Sequence, residues 1–266
     1  MIASQSIAVA ATGTSPSKVP EVTFGFWLIK VLATTLGETG GDTVTMTWLN
    51  ADVETNAGYL IGSGIFLSAL AALVAIQISA KRFNPILYWA TIVASTTFGT
   101  TMADFADRSL GIGYAGGSLL LLSGLMATLA LWYRSEGTIS VNTVTTPRVE
   151  AFYWAAITLS QTLGTALGDW IADTGLGYEG GAVIFGAGLA VLAAVYFLTD
   201  ASRVMLFWAA FILTRPLGAT LGDFLDKPID HGGLAWSRPL ASLVLTCVMI
   251  LCILVFPQRP GIHPSK

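Results

Sequence analysis

One pattern is written four times along the chain, and its internal spacing never varies. A Trp is followed ten residues later by Gly, four further on by Gly or Ala, and then at once by Asp. The copies read Trp27, Gly37, Gly41, Asp42; Trp89, Gly99, Ala103, Asp104; Trp154, Gly164, Gly168, Asp169; and Trp208, Gly218, Gly222, Asp223. Successive Trp lie 62, 65 and 54 residues apart. A fixed register with elastic separation marks a duplicated structural unit whose loops have drifted. Each copy also sets a carboxylate in or at the rim of an apolar segment, where a charge is costly and its presence points to a role.

The apolar setting is general. The 266 residues are 54% hydrophobic and 11% charged, and the mean hydropathy is +0.70. Soluble domains carry about 25% charged residues, so this chain cannot cover a water-facing surface and reads as a polytopic membrane protein in a lipid bilayer. A net charge of -3 argues against a nucleic-acid partner, which needs clustered Lys and Arg. Cys247 and Cys252 lie within one apolar run and are read as small core residues, not as a disulfide framework or thiolate metal site. Residues 1–22 lack the basic start and sustained apolar core of a signal peptide and are expected to form a flexible tail.

A spanning helix needs about 20 mostly apolar residues. Eight candidates run over 24–46, 58–80, 84–106, 115–133, 150–172, 180–199, 203–225 and 236–256. They group into repeats at about 24–80, 84–133, 149–199 and 203–256, within one transmembrane domain at 23–256, with 257–266 as a cytoplasmic tail. The expected fold is all-α: a bundle of eight transmembrane helices built from four parallel two-helix repeats. Odd helices carry the pattern. Even helices, rich in Gly, Ala and Ser, read as scaffold suited to close contacts in lipid. Lys81, Arg82, Arg134, Arg148, Arg203, Arg259 and Lys266 follow the even helices. The loops after the odd ones are mostly acidic, with Asp52, Glu54, Asp107 beside a single Arg108, Asp173 and Glu179; only the last, with Lys227, Asp230, His231 and Arg238, is mixed. The positive-inside rule then puts both termini in the cytoplasm. Each Asp is about 22 Å beyond its Trp at helical rise. With the Trp in the inner aromatic belt, the four Asp share one level in the outer part of the membrane.

Reading back from each Asp, the residues three, four and seven earlier share its helical face. They are Thr39, Glu38 and Thr35; Thr101, Thr100 and Thr97; Ala166, Thr165 and Thr162; and Thr220, Ala219 and Pro216. A second acid follows in three copies, at Asp107, Asp173 and Asp226, and in the first copy Glu38 precedes the Asp. Hydroxyls and carboxylates are hard ligands suited to Mg²⁺, Ca²⁺ or Mn²⁺. The candidate metal ligands are therefore Asp42, Asp104, Asp169, Asp223, Glu38, Thr39, Thr101, Asp107, Asp173 and Asp226. His231 and His263 lie in a loop and the tail, which makes a His/Cys zinc site improbable. Two cations break the apolar pattern. Lys30 follows Trp27 by three residues, and Arg215 precedes Gly218 by three, where the other copies have Thr34, Thr96 and Gln161. Arg215 needs an acidic partner inside the bundle, as a gating ion pair or a static one, and Lys30 either joins such a pair or snorkels to the interface. Plain alternatives stand beside these readings: packing glycines, interfacial Trp anchors, and Asp residues that merely end helices.

Four tandem two-span units with a fixed Trp, covering about 24–256, resemble a bacterial membrane-protein family defined only as a repeat of unknown function. That resemblance implies the architecture and a bacterial inner membrane, and brings no activity. The stretch Glu38-Thr39-Gly40-Gly41-Asp42-Thr43 is more loosely similar to Mn²⁺/Ca²⁺ exchangers of the Glu-x-Gly-Asp type. It departs from them by an extra Gly, by Thr43 in place of a basic residue, and by the missing Glu in the other copies.

The leading expectation is a secondary transporter of a divalent cation, with Mn²⁺ export the first choice, coupled to protons through the same carboxylates. Its partners would be the cation, protons and lipid, with a homo-oligomer possible and no resident cofactor. A channel with an acidic ring and a structural partner subunit are the alternatives. No Gly-x-Ser-x-Gly, His-Glu-x-x-His or phosphate-binding loop is present, so no enzyme activity is expected.

Overall fold

A computed structural model describes residues 17–51 and 57–261. Asp52, Glu54, His263, Lys266 and residues 1–16 of the expected tail lie outside the described residues. Among the described residues, eight α-helices carry the fold: α1 (Phe24–Asp42), α2 (Ala57–Ser79), α3 (Pro85–Asp104), α4 (Tyr114–Glu136), α5 (Pro147–Ile171), α6 (Gly177–Leu198), α7 (Arg203–Asp226) and α8 (Arg238–Val255). They fall within a few residues of the eight expected spans. The odd helices all start on a side-chain cap, in which Thr23, Asn84, Thr146 and Ser202 accept from the backbone N–H of Phe26, Leu87, Val149 and Met205. Such caps satisfy a donor that the helix leaves open. Pro85 and Pro147 stand in the first turn, where a missing N–H costs nothing.

The four odd helices form a closed ring. Each packs beside the next, α1 with α3, α3 with α5, α5 with α7, and α7 with α1. The even helices stand outside, and each leans on the odd helix of the following repeat: α2 on α3, α4 on α5, α6 on α7, and α8 back on α1. No repeat is therefore self-contained, because the last unit covers the first. The outer helices turn Leu60 and Ile65, Leu119 and Leu120, Val183 and Phe197, and Leu243 and Leu254 outward. Water would reject such a surface, and lipid accepts it. Five helical stretches are long and apolar enough to cross a membrane, one of them taking in both α5 and α6, which part at a kink at Gly175. The chain is an integral membrane protein.

The repeated glycines explain the ring's tightness. A Cβ on Gly37 would collide with Thr96, one on Gly99 would lie 2.9 Å from the Gln161 backbone, one on Gly164 would strike Arg215, and one on Gly218 would strike Thr34. Those four partners are the same register position in the next repeat, so one seam recurs around the ring and closes on itself. The second small residue repeats the device, with Gly41 facing Thr100, Gly168 facing Ala219 and Gly222 facing Glu38. Close backbone approach of this kind drives helix association in lipid.

Packing corrects three expectations about the Trp end. Trp89, Trp154 and Trp208 are buried and Trp27 is half-buried, so they close the ring instead of forming a lipid-facing belt. The aromatic residue before each Trp presses on the next repeat's Trp: Phe26 on Trp89, Tyr88 on Trp154, Tyr153 on Trp208 and Phe207 on Trp27. The Tyr88 and Tyr153 hydroxyls pair at 2.7 Å. Residues 17–22, expected to be flexible, are tied down. The Glu21 N–H donates to the Arg259 carbonyl at 2.9 Å, and buried Lys18 pairs with Glu150 at 2.6 Å. A buried carboxylate on α5 needs a cation, and Lys18 supplies it. Cys247, expected in the core, is exposed on α8, and Cys252 is half-buried.

Candidate functional site

Residues four apart on the inner helices stack as tiers along the ring axis, since a step of four is slightly more than one helical turn. Above the aromatic closure come Lys30, Ile92, Ile157 and Phe211, then Thr34, Thr96, Gln161 and Arg215, then Glu38, Thr100, Thr165 and Ala219. All twelve side chains are buried. The four Asp form the tier above.

Arg215 crosses the ring. One guanidinium nitrogen donates to Glu38 Oε2 at 2.9 Å on α1, to Thr100 Oγ1 at 2.6 Å on α3, and to Thr165 Oγ1 at 2.5 Å on α5. Thr100 also donates to Glu38 Oε2 at 3.2 Å. A single cation from α7 thus holds all three other inner helices. The partner that the sequence required for Arg215 is Glu38, and the pair is fully desolvated. Lys30 does not snorkel. Its ammonium is buried over the Phe211 ring, 4.1 Å from the centroid, with Gln161 Oε1 at 3.4 Å.

At the Asp end, the register is kept but the surroundings of the four copies part company. Asp42 from α1 meets Asp223 and Asp226 from α7, and one carboxylate oxygen from each lies within 4.8 Å of the others. Lys227 sits among them, its Nζ donating to Asp42 Oδ2 at 2.7 Å and pairing with Asp223 Oδ1 at 3.0 Å. Arg238 Nε lies 4.0 Å from Asp42 Oδ2. Among the described residues, neither oxygen of buried Asp226 receives a hydrogen bond, nor does Asp42 Oδ1. Burial alone would discharge Lys227, but Asp223, Asp42 and Asp226 outweigh it and hold the ammonium well above the usual lysine range.

The remaining candidates divide. Asp104 is buried and, like Asp42 and Asp223, interacts electrostatically with Glu38. Asp107 is half-buried against the start of α4, where a Cβ on Gly117 would lie 3.3 Å from its carboxylate. Asp169 is half-buried and Asp173 exposed, and neither belongs to the cluster formed by Asp42, Asp223 and Asp226. The ring brings α7 against α1 at this end, while α5 ends one step away. Thr39 and Thr101 are buried, but their hydroxyls donate to Leu36 and Phe98 carbonyls of their own helices at 3.4 and 3.2 Å. Most of the Thr stripe is spent this way, as hydroxyls in helix interiors commonly are. Ser242 on α8 donates to Thr39 Oγ1 at 3.0 Å.

The odd helices do not break at the Gly–Asp element. Three continue into a π-helical turn, Thr43–Trp48, Phe105–Ser109 and Ala172–Leu176, while α7 ends at Asp226 with Lys227 extended. Such widened turns recur at functional sites. Lys227 as an occupant of the acidic cluster is not foreseeable from the sequence, because no periodic signal marks it. The ring of Phe26, Tyr88, Tyr153 and Phe207 did leave a signal, an aromatic residue before every patterned Trp.

No curated protein and no solved structure matches the chain, and the likeness to Glu-x-Gly-Asp exchangers gains nothing from these comparisons. Four segments, residues 25–83, 87–138, 152–202 and 206–259, each match the family model described as Repeat of Unknown Function (DUF347), one for every Trp–Gly–Asp copy, and the chain belongs to that family.

Proposed function

We propose that the protein is a secondary transporter of a divalent metal cation, Mn²⁺ export being the leading assignment, in a bacterial inner membrane with both termini cytoplasmic. One observation carries this reading. Three buried carboxylates from two helices, Asp42, Asp223 and Asp226, offer oxygens within 4.8 Å of one another at one end of the ring. Acids at membrane depth are costly and gather where ions or protons pass, and hard oxygen donors favour Mg²⁺, Ca²⁺ or Mn²⁺. Asp104 would stand next to this site, and the carboxylates would exchange cation for protons. Lys81, Arg82, Arg134 and Arg148 flank the helices at the Trp end, which supports a cytoplasmic Trp end.

The axis is closed at two levels, by the aromatic ring and by Arg215 bound to Glu38. Alternating access fits that geometry better than an open acidic-ring channel. Arg215–Glu38 would be the inner gate, since a pair joining all four helices must part for a cation to pass between them. The experiment is metal tolerance in cells expressing Asp42→Asn or Asp223→Asn. Both variants should reach the membrane and lose tolerance, and wild-type tolerance in both would reject the site.

A further inference from the structure

We infer that Lys227 is a tethered substitute for the transported cation: its ammonium fills the Asp42–Asp223–Asp226 cluster when substrate is absent and must leave for substrate to enter. This inference rests on the transport reading and adds the regulation of the same site. Four observations carry it. The ammonium lies 2.7 Å from Asp42 and 3.0 Å from Asp223, so it takes oxygens that a cation bound there would need. The third acid, Asp226, is buried and receives no hydrogen bond on either oxygen among the described residues, so one ammonium leaves carboxylate capacity unused. Lys227 stands just past the end of α7, in extended backbone. Its N–H donates to the Asp223 carbonyl at 2.8 Å and its carbonyl accepts from the Ala235 N–H at 2.9 Å, so any movement belongs to its flexible, partly exposed side chain. The following loop runs through exposed Ile229 to Trp236 and folds back through Leu234 N–H to the Phe224 carbonyl at 2.8 Å. The side chain can therefore withdraw toward the exposed side without unwinding α7.

A built-in competitor lowers apparent affinity by the fraction of time that it occupies the site. It also prevents three bare carboxylates from facing one another between transport events, because like charges so close repel strongly. Substrate binding and Lys227 seating are then mutually exclusive, and the empty carrier returns with part of the cluster's negative charge offset.

Mn²⁺ binding to the purified full-length protein in detergent, measured by calorimetry, tests this. Lys227→Gln should bind Mn²⁺ at least tenfold more tightly than wild type, and Asp42→Asn should bind it at least tenfold more weakly. If removal of the ammonium lowers the yield of folded protein, Lys227→Gln/Asp226→Asn compared with Asp226→Asn alone asks the same question with the repulsion relieved, and the same gain is expected. Equal affinity with and without Lys227, in a wild type that binds Mn²⁺, overturns the tethered cation and leaves the transport reading standing. No Mn²⁺ binding in either wild type or Lys227→Gln overturns both.

Discussion

Around the Trp end of the ring, Phe26, Tyr88, Tyr153 and Phe207 each press on the Trp of the next repeat, and the fourth contact closes on the first. At the Asp end the register is kept, but the surroundings differ from copy to copy. Asp42 and Asp223 share Lys227, Asp104 is buried nearby, and Asp169 is half-exposed. Midway, a single copy carries Glu38 and a single copy carries Arg215. Residues kept in every repeat therefore build the scaffold and supply Asp42 and Asp223. Residues that break the repeat, Glu38, Arg215 and Lys227, make the surroundings of those acids unlike one another. A symmetric ring supplies identical helix contacts, whereas a cation site needs unlike groups on facing helices.

That contrast can be broken most sharply at the axis. Glu38→Gln leaves the Arg215 guanidinium buried without its counter-charge, and losing one partner of such a pair costs about 3–5 kcal/mol. Thermal unfolding in detergent should show a larger drop for this single substitution than for any at the glycine seam or the aromatic closure. A midpoint unchanged from wild type would mean that Thr100 and Thr165 suffice to hold Arg215. Replacing both members, as Glu38→Leu with Arg215→Met, should recover much of the stability while abolishing transport.

The glycine seam comes next. Gly99→Ala places a methyl 2.9 Å from the Gln161 backbone, which cannot swing aside, and overpacking costs about 1–3 kcal/mol. Gly40, one residue from the patterned Gly41, has nothing within 4 Å of an added Cβ. Gly40→Ala should raise stability by about 0.5–1 kcal/mol through helix propensity alone. Unfolding midpoints that move the same way in both variants would show that the repeated glycines do not mark the seam.

At the acidic end, Asp223→Asn should abolish metal tolerance while Asp173→Asn leaves it unchanged, because Asp173 is exposed and outside the cluster. Equal loss in both would restore the idea of four equivalent carboxylates. A small loss of stability is expected at the aromatic closure. Tyr88→Phe removes one hydroxyl from the 2.7 Å pair with Tyr153 and should cost about 1 kcal/mol, with transport intact.

Much of this was legible in the chain. Helix period and apolar length fixed eight helices, the invariant register announced four parallel units, and buried Arg215 demanded an acid that proved to be Glu38. The acids singled out by register alone were only partly gathered, since register tells which face an Asp takes and not which neighbour it meets. The local bonds of Thr39 and Thr101, which donate to carbonyls of their own helices and keep oxygen lone pairs for another partner, were not legible in the sequence.

Local pattern determined what each segment is: an apolar helix with a small-residue stripe, a Trp at one end and an Asp at the other. Tertiary structure alone decided that each even helix covers the next repeat, that α8 returns to α1, and that Lys227 fills the gap between α1 and α7. The physical reason is ring closure. Periodicity is encoded within a single turn or two of one helix, but which copies become neighbours depends on the ends meeting, and only there do side chains far apart in sequence find each other.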